Sequence, residues 1–378
     1  GQPAVIPLGL TWEKSTTLNL GLDFAFLSNR LQFSGDIYQR KTTDMFTVGM
    51  SLPAVFGTDV PKGNYADLTT KGFELSVSWR DQFQLASKPF NYEVRFTLAD
   101  YQSTIDKYNN PEKKLGDDYY YEGMKVGEIW GYETEGFFTS QADIDSHAKQ
   151  PYFYAGATAG QWLPGDIKFK DLNGDGVIDY GNNTVDNPGD QKIIGNSEPR
   201  FIYGINLSGD WNNFFVSAFF QGVGKQDWWP GSEASYFWGM YNRPYNDMPK
   251  SHLGNIWTEE NPNTYFPRLR GYSSEEPYAE LNLKQTRYLQ NIAYIRMKNI
   301  QLGYTLPKSF ISKLRMQNAK VYVSGENLWS WSPFYKYSKD LDVEAVRGSD
   351  RDLTEGTSGN GYSYPILKSV SFGLSVTF

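Results

Sequence analysis

Apolar positions recur along this chain with a period of two. Leu18, Leu20, Leu22, Phe24 and Phe26 alternate with polar or small residues, as do Leu31, Phe33, Gly35 and Ile37. The spacing returns at Phe73, Leu75, Val77 and Trp79, and at Tyr92, Val94, Phe96 and Leu98. Phe201, Tyr203, Ile205 and Leu207 precede Phe214, Val216, Ala218 and Phe220, and Ile300, Leu302, Tyr304 and Leu306 precede Val321 and Val323. The chain closes on Val370, Phe372, Leu374, Val376 and Phe378, separated by Ser371, Gly373, Ser375 and Thr377. Successive side chains of a strand point to opposite faces, so each segment reads as a strand with one apolar face. About nine strands are predicted on this criterion.

The connections decide what the apolar faces meet. Ser28-Asn29-Arg30 and residues 209–213 read as tight turns, 80–90 as a modest link, and 307–318 as a short helical turn started by Pro307. Between these hairpins run the long connections 43–67, 104–198, 223–288 and 333–363. Short and long therefore alternate. Structureless loops beyond about 12–15 residues are uncommon in compact soluble domains, whereas a transmembrane barrel has short turns at one rim and long loops at the other. Arg40, Lys41 and Asp44 fit the exit of one strand from lipid. The predicted fold class is all-β, a transmembrane antiparallel β-barrel with long extracellular loops.

Within hydrocarbon every backbone N–H and C=O must be paired by the protein itself, so spanning sheets must close. The barrel-end signature Phe372, Leu374, Val376 and Phe378 would then face lipid, with the final aromatic ring at the interfacial girdle. Counting back from a periplasmic C-terminus, an odd set of strands starts outside the cell, whereas bacterial single-chain barrels have even numbers. The expectation is an incomplete barrel. The strands at 14–28 and 364–378 should both pair with residues that this sequence does not contain, the missing part preceding Gly1.

Composition narrows the classes further. Aromatic residues make up 16% of the 378 positions, which suits interfacial girdles, and the formal net charge of −7 gives no electrostatic footprint for nucleic acid. The chain has no cysteine and two histidines, His147 and His252, so disulfides, thiolate sites and ordinary zinc sites lack material. No apolar run approaches the ~18 residues of a transmembrane helix, which does not bear on a barrel. The opening GQPAVIPLGLTWEK has no signal-peptide pattern.

Several stretches together resemble the barrel of SusC/RagA-type TonB-dependent transporters of Bacteroidetes outer membranes. They are LTWEKSTTLNLGLDF, SNRLQFSGDIYQRKTTDMF, NYADLTTKGFELSVSW, PGDIKFKDLNGDGVID, IIGNSEPRFIYGINLSGDW, NIAYIRMKNIQLGYTLP, VYVSGENLWSWSPFY and YPILKSVSFGLSVTF. The resemblance covers essentially the whole chain in the family's order, with one departure at KDLDVEA (339–345), where the family reads closer to G-x-D-P-E. It implies that residues 1–378 are the C-terminal portion of a 22-stranded barrel, without the plug, the TonB box or the earlier strands. It also implies import of a glycan or peptide, a SusD-like surface lipoprotein as lid, and energy from TonB–ExbB–ExbD. A dimer of transporter–lipoprotein pairs is the implied assembly.

Two sites carry candidate chemistry. Asp171, Asn173 and Asp175, the Val177 carbonyl and Asp179 have the oxygen spacing of a calcium loop through its ninth position, with Gly176 at the sharp turn. Position twelve is Asn182, not a bidentate glutamate, and the competing reading is a turn whose Asp and Asn side chains bond their own backbone. Calcium is the cofactor this spacing allows, all the ligands being hard oxygens.

The second site is the aromatic run 227–241, where Trp228, Trp229, Tyr236 and Trp238 either stack on a ligand or form a core for a long loop. Trp329 and Trp331 fit the interfacial girdle. Gly222-Val-Gly224-Lys225 lacks the spacing of a phosphate loop, and no carboxylate pair reads as acid and base. No enzyme is expected. The rival readings are a passive porin or adhesin barrel and a secreted soluble β-protein that binds carbohydrate.

Overall fold

A strand with one apolar face still needs neighbours for its backbone groups. The computed structural model describes residues 9–48, 61–116, 119–151, 161–232, 234–242, 245, 247–346 and 363–378. In chain order its strands are β1 (Lys14–Phe26), β2 (Leu31–Val48), β3 (Lys62–Leu85), β4 (Lys88–Lys107) and β5 (Glu128–Tyr132). Then follow β6 (Thr134–Phe137), β7 (Ile167–Phe169), β8 (Gln191–Asn196), β9 (Arg200–Trp211) and β10 (Phe214–Lys225). The last are β11 (Asp227–Trp228), β12 (Gln290–Asn291), β13 (Tyr294–Thr305), β14 (Asn318–Trp331) and β15 (Ser369–Thr377). One nine-stranded sheet has the order β1-β2-β3-β4-β9-β10-β13-β14-β15, every adjacent pair antiparallel. β1 and β15 are its two edges and do not pair with each other. The sheet is not closed.

Register carries the alternation across the whole wall. Leu20 lies opposite Ile37, Ile37 opposite Phe73, Val77 opposite Phe96, and Phe96 opposite Ile205. Val216 meets Leu302, Leu302 meets Val323, and Val323 meets Phe372. The other face pairs Asp36 with Glu74, Ser78 with Arg95, Arg95 with Asn206, and Ser324 with Ser371. Phe372 is 85% exposed and Leu374 67% exposed, and Leu18, Leu22, Ile37 and Leu302 are exposed on the same face. A contiguous apolar face of this extent marks contact with something other than water. On the polar face Phe215 lies across Gly303 and Tyr322 across Gly373, where an added Cβ would collide with the ring.

All the short connections gather at one end. Leu27, Ser28 and Asn29 make a left-handed turn, as do Ala86 with Ser87 and Asn212 with Asn213. The fourth, after Pro307, is a helical turn at Lys308–Ile311 continued by Ser312–Leu314, as the sequence predicts. At this end the outer face carries aromatic rings. Phe83 packs on Phe90 at 5.1 Å, Phe214 on Tyr304 at 4.7 Å, and the Trp79 Nε1–H donates to Tyr92 Oη at 3.1 Å.

Two boundaries need correction. Residues 80–90 are not a link: β3 runs to Leu85 and β4 resumes at Lys88. Nor does β2 stop at the charged Arg40–Asp44 stretch; it continues to Val48, with register shifts around Met45, and β3 begins at Lys62. Alternation reports burial of one face. Pairing continues where that face is no longer apolar, so the pattern underestimates strand length.

The long connections build a second layer with its own core. Ile167, Phe169, Ile178, Trp228, Phe237, Trp238, Tyr241, Phe266, Tyr288 and Phe334 are buried together. Phe237 meets Trp238 edge-on at 4.8 Å, and Tyr265 stacks on Tyr337 at 3.8 Å. Inside this layer Arg270 grips Asp166 with two hydrogen bonds of 2.7 and 2.6 Å. Glu280 is fully buried beside them; its Oε2 accepts the Ile167 N–H at 2.9 Å and its Oε1 finds no partner among the described residues. Burial raises the Glu280 carboxyl well above the usual carboxylate range, and the charge of Asp166 adds to this. The guanidinium sits on Asp166, so the proton resides on Glu280.

Two outcomes follow from this architecture. Arg at Leu374 should cost about 2–4 kcal/mol in a mid-membrane position, while Arg at Ser375 points to the polar face. Surface abundance of the full-length protein should therefore fall for Leu374→Arg alone; equal abundance of the two variants would overturn the lipid-facing assignment. Glu280 keeps in the folded state a proton that the unfolded chain loses above the ordinary carboxylate range. Its contribution to stability is therefore complete at acidic pH and is lost as pH rises towards the raised value. Protease protection of the loop layer should weaken from pH 5 to pH 9 in the wild type and stay level in Glu280→Gln. A flat wild-type profile would contradict the protonated assignment.

Candidate functional site

The functional face of this molecule is the loop layer, since the turns at the opposite end leave no room for a site. Between β7 and β8 the oxygen-rich stretch folds as a chain of side-chain-closed turns. Asp171 accepts the N–H groups of Gly174 at 2.7 Å and Gly176 at 2.9 Å. Asn173 Oδ1 accepts Asp175 N–H at 2.9 Å, Asp175 Oδ1 accepts Val177 N–H at 2.8 Å, and Asp179 Oδ1 accepts Gly181 N–H at 2.7 Å. The turn reading accounts for every one of these contacts.

The residue that organises the loop is one the motif leaves out. Asp190 is fully buried and accepts the N–H groups of Leu172 at 2.7 Å and Asp179 at 2.9 Å, tying the two ends of the motif together. Among the described residues no three acidic or histidine side chains converge as metal ligands. The donor set nevertheless suits a hard cation. Asp171, Asn173, Asp175 and Asp179 are not buried, and a carboxylate oxygen that accepts one N–H keeps a second lone pair.

The aromatic run divides. Trp238 is 0% and Trp228 4% exposed, Trp229 packs partly buried against the same cluster, and Tyr236 is 58% exposed. Trp238 Nε1–H donates to the Gly231 carbonyl at 3.0 Å. A ligand-stacking role for Trp228 and Trp238 is thereby corrected: their rings are the interior of the loop layer, which a connection of this length requires to fold. Of the four, Tyr236 is the most exposed to solvent. Trp329 and Trp331 stand half-exposed at the loop end of β14. His252 is buried, with Nε2 2.9 Å from the Phe237 carbonyl oxygen, and burial lowers its pKa, so it is a neutral core residue. His147 Nε2 lies 2.8 Å from the Phe169 carbonyl oxygen.

Ion pairs tie strands of the wall to one another and to the loops. Arg200 holds Asp100 through two 2.6 Å hydrogen bonds at the rim of β4 and β9. Arg296 on β13 reaches Asp342 at 2.6 Å, and Lys298 reaches Glu344 at 2.5 Å. Asp342 also accepts the Ile366 N–H at 3.1 Å. The divergent segment 339–345 is thus clamped to the sheet by its acidic residues.

A cavity of about 340 Å³ opens between the paired strands β5 and β8 and residues 278–284. Tyr119, Tyr121, Trp130, Tyr180 and Tyr278 face it. Sequence reading missed it because its aromatics are dispersed over some 160 residues and share no spacing.

The comparisons agree with this geometry. Residues 1–164 match the family model described as TonB dependent receptor-like, beta-barrel. TonB-dependent receptor P3 of Formosa agariphila is 28% identical over 98% of the chain and 34% of its own length. TonB-dependent receptor SusC of Bacteroides thetaiotaomicron is 23% identical over 100% of the chain and 33% of its own length. The structure of the RagAB peptide importer in the closed-closed state matches with a TM-score of 0.67 at 19% identity, covering 98% of the chain and 36% of that chain. The chain spans about a third of the length of the curated relatives it matches. Its two-faced antiparallel wall, its alternation of turns and long loops, and these relatives together make the chain similar to the TonB-dependent receptor β-barrels of the bacterial outer membrane.

Proposed function

We propose that the protein containing this chain imports a nutrient across the outer membrane with energy from TonB–ExbB–ExbD, and that residues 1–378 form the C-terminal part of its barrel. The observation that carries the reading is the sheet itself. Its outer face is apolar along all nine strands, its inner face is polar, and its two edges β1 and β15 are unpaired with each other. Bare edges in hydrocarbon cost several kcal/mol per unsatisfied backbone group. Further strands of the same barrel therefore close against β1 and β15, and a plug occupies the polar lumen. The loop layer then faces the cell surface, where a SusD-like lipoprotein covers it, in a dimer of transporter–lipoprotein pairs. The role is transport, not catalysis. The cargo is a glycan or a peptide; the structurally similar RagAB is a peptide importer, which supports the second. The 171–179 loop binds calcium in this reading and so braces the connection between β4 and β9.

Deleting the gene in the source bacterium should abolish growth on the cargo supplied as oligosaccharide or peptide, and a protonophore should abolish uptake in the wild type. Uptake that survives the protonophore would favour a passive porin. For the calcium loop, added calcium should protect the 104–198 connection from protease, at the ~10⁻⁴–10⁻³ M affinity of extracellular modules. Unchanged protection in Asp171→Ala and Asp175→Ala would leave only the turn.

A further inference from the structure

We infer that Lys41 and Lys71, on the outer face of β2 and β3, hold the headgroup phosphate of an acylated lipid of the outer leaflet. Both project from the same face as Leu18, Leu20, Ile37 and Phe73. Lys41 lies opposite Thr69 and Lys71 opposite Gln39. The two lysines are therefore diagonal neighbours, about 7–8 Å apart across the strand pair. Both are exposed, and neither forms an ion pair among the described residues.

Depth puts the pair at the level of lipid headgroups. The outward positions of β3 rise from Trp79, whose indole donates to Tyr92 in the turn-end girdle, through Val77, Leu75 and Phe73 to Lys71. A tilted strand crosses hydrocarbon in about 9–11 residues, so Lys71 emerges where the headgroups of the far leaflet begin. On β2 the outward run through Ile37 and Gln39 brings Lys41 out just above it. Directly below the pair, Leu18 is 77%, Leu20 70% and Ile37 59% exposed. These side chains form an apolar bed on which acyl chains can lie while the headgroup reaches the ammonium groups.

Charge argues for an anionic headgroup. Two ammonium groups this close repel each other, and beside hydrocarbon the repulsion is damped less than in bulk water. The neighbouring carboxylates are already engaged: Asp44 pairs with Lys14 at 3.5 Å, Arg200 holds Asp100, and Asp106 accepts the Thr69 hydroxyl. An anion seated between the lysines relieves the repulsion. Gln39 and Gln102 flank Lys71 on either side, and Thr16 lies across from Lys41. Their carboxamides and hydroxyl are donors, and a phosphate has enough oxygens to meet both ammonium groups and these donors together.

This inference rests on the outer-membrane reading for its orientation, while the binding is measured without transport. The full-length protein in detergent would be titrated with monophosphoryl lipid A and with its dephosphorylated form, bound lipid being counted by native mass spectrometry. The phosphorylated lipid should bind more tightly than the dephosphorylated one and weaken as salt is raised. Lys41→Gln and Lys71→Gln should each weaken it about fivefold, and together about thirtyfold. The pair Lys41→Arg with Lys71→Arg should retain it, and Lys88→Gln, at the turn end of the same wall, should leave affinity unchanged. Inorganic phosphate at millimolar concentration should not displace the lipid. Equal binding of the dephosphorylated lipid, full affinity in the double Gln variant, or displacement by inorganic phosphate would overturn the assignment. Lipid binding that depends on these lysines, in a protein that imports nothing, would keep the site and sink the import reading instead.

Discussion

Backbone amides cannot be left unpaired in hydrocarbon, and side chains that face hydrocarbon cannot be polar. An antiparallel sheet meets both demands at once, because pairing runs in the sheet plane while side chains leave it on alternate faces. The two demands are coupled through register: slipping one strand by one residue would turn its apolar set into the lumen. Here the pairings Ile37–Phe73, Phe96–Ile205, Leu302–Val323 and Val323–Phe372 keep one face apolar from edge to edge. The left-handed turns at 27–29, 86–87 and 212–213 are short enough to hold that register without slack.

The same constraint vanishes where the strands leave lipid, and a different physics takes over. The connections between β4 and β9 and between β10 and β13 bury aromatic rings against one another, as a soluble domain would. Polar groups follow them inside: Asp190 satisfies amide groups of the 171–179 loop, Asp166 holds Arg270, and Glu280 sits neutral beside both. The loop layer is a folded body standing on a wall, joined to it by pairs such as Arg296–Asp342 and Lys298–Glu344.

The wall was legible from the sequence because one periodicity encodes it. All nine predicted strands occur, with the predicted turns at 28–30, 209–213 and 307–318. Strand ends were less legible, since Asp81 interrupts the apolar face of β3 before Phe83 and Leu85 resume it, and Thr43–Val48 pairs without alternating in polarity. The loop layer resisted further. Trp228 and Trp238 could be read as ligand platforms until their burial was seen, because composition does not tell a core ring from a surface one. Asp190 and the tyrosine-lined cavity carry no local motif; their partners lie far away in the chain. Residues 49–60 and 347–362 lie outside the described residues.

β3 contains 24 residues and β4 contains 20, whereas crossing the hydrocarbon takes only about 9–11. At roughly 3.3 Å per residue β3 reaches some 80 Å, so more than half of it stands clear of the bilayer. With β2 alongside, this part of the rim is a palisade, hydrogen-bonded from the turn at Ala86 and Ser87 upward with register shifts near Met45 and Asp67. Such a palisade bends little along its length. Whatever bending this part of the wall allows falls to β10, β13 and β14, which are 12 to 14 residues long and hand over directly to the loop layer.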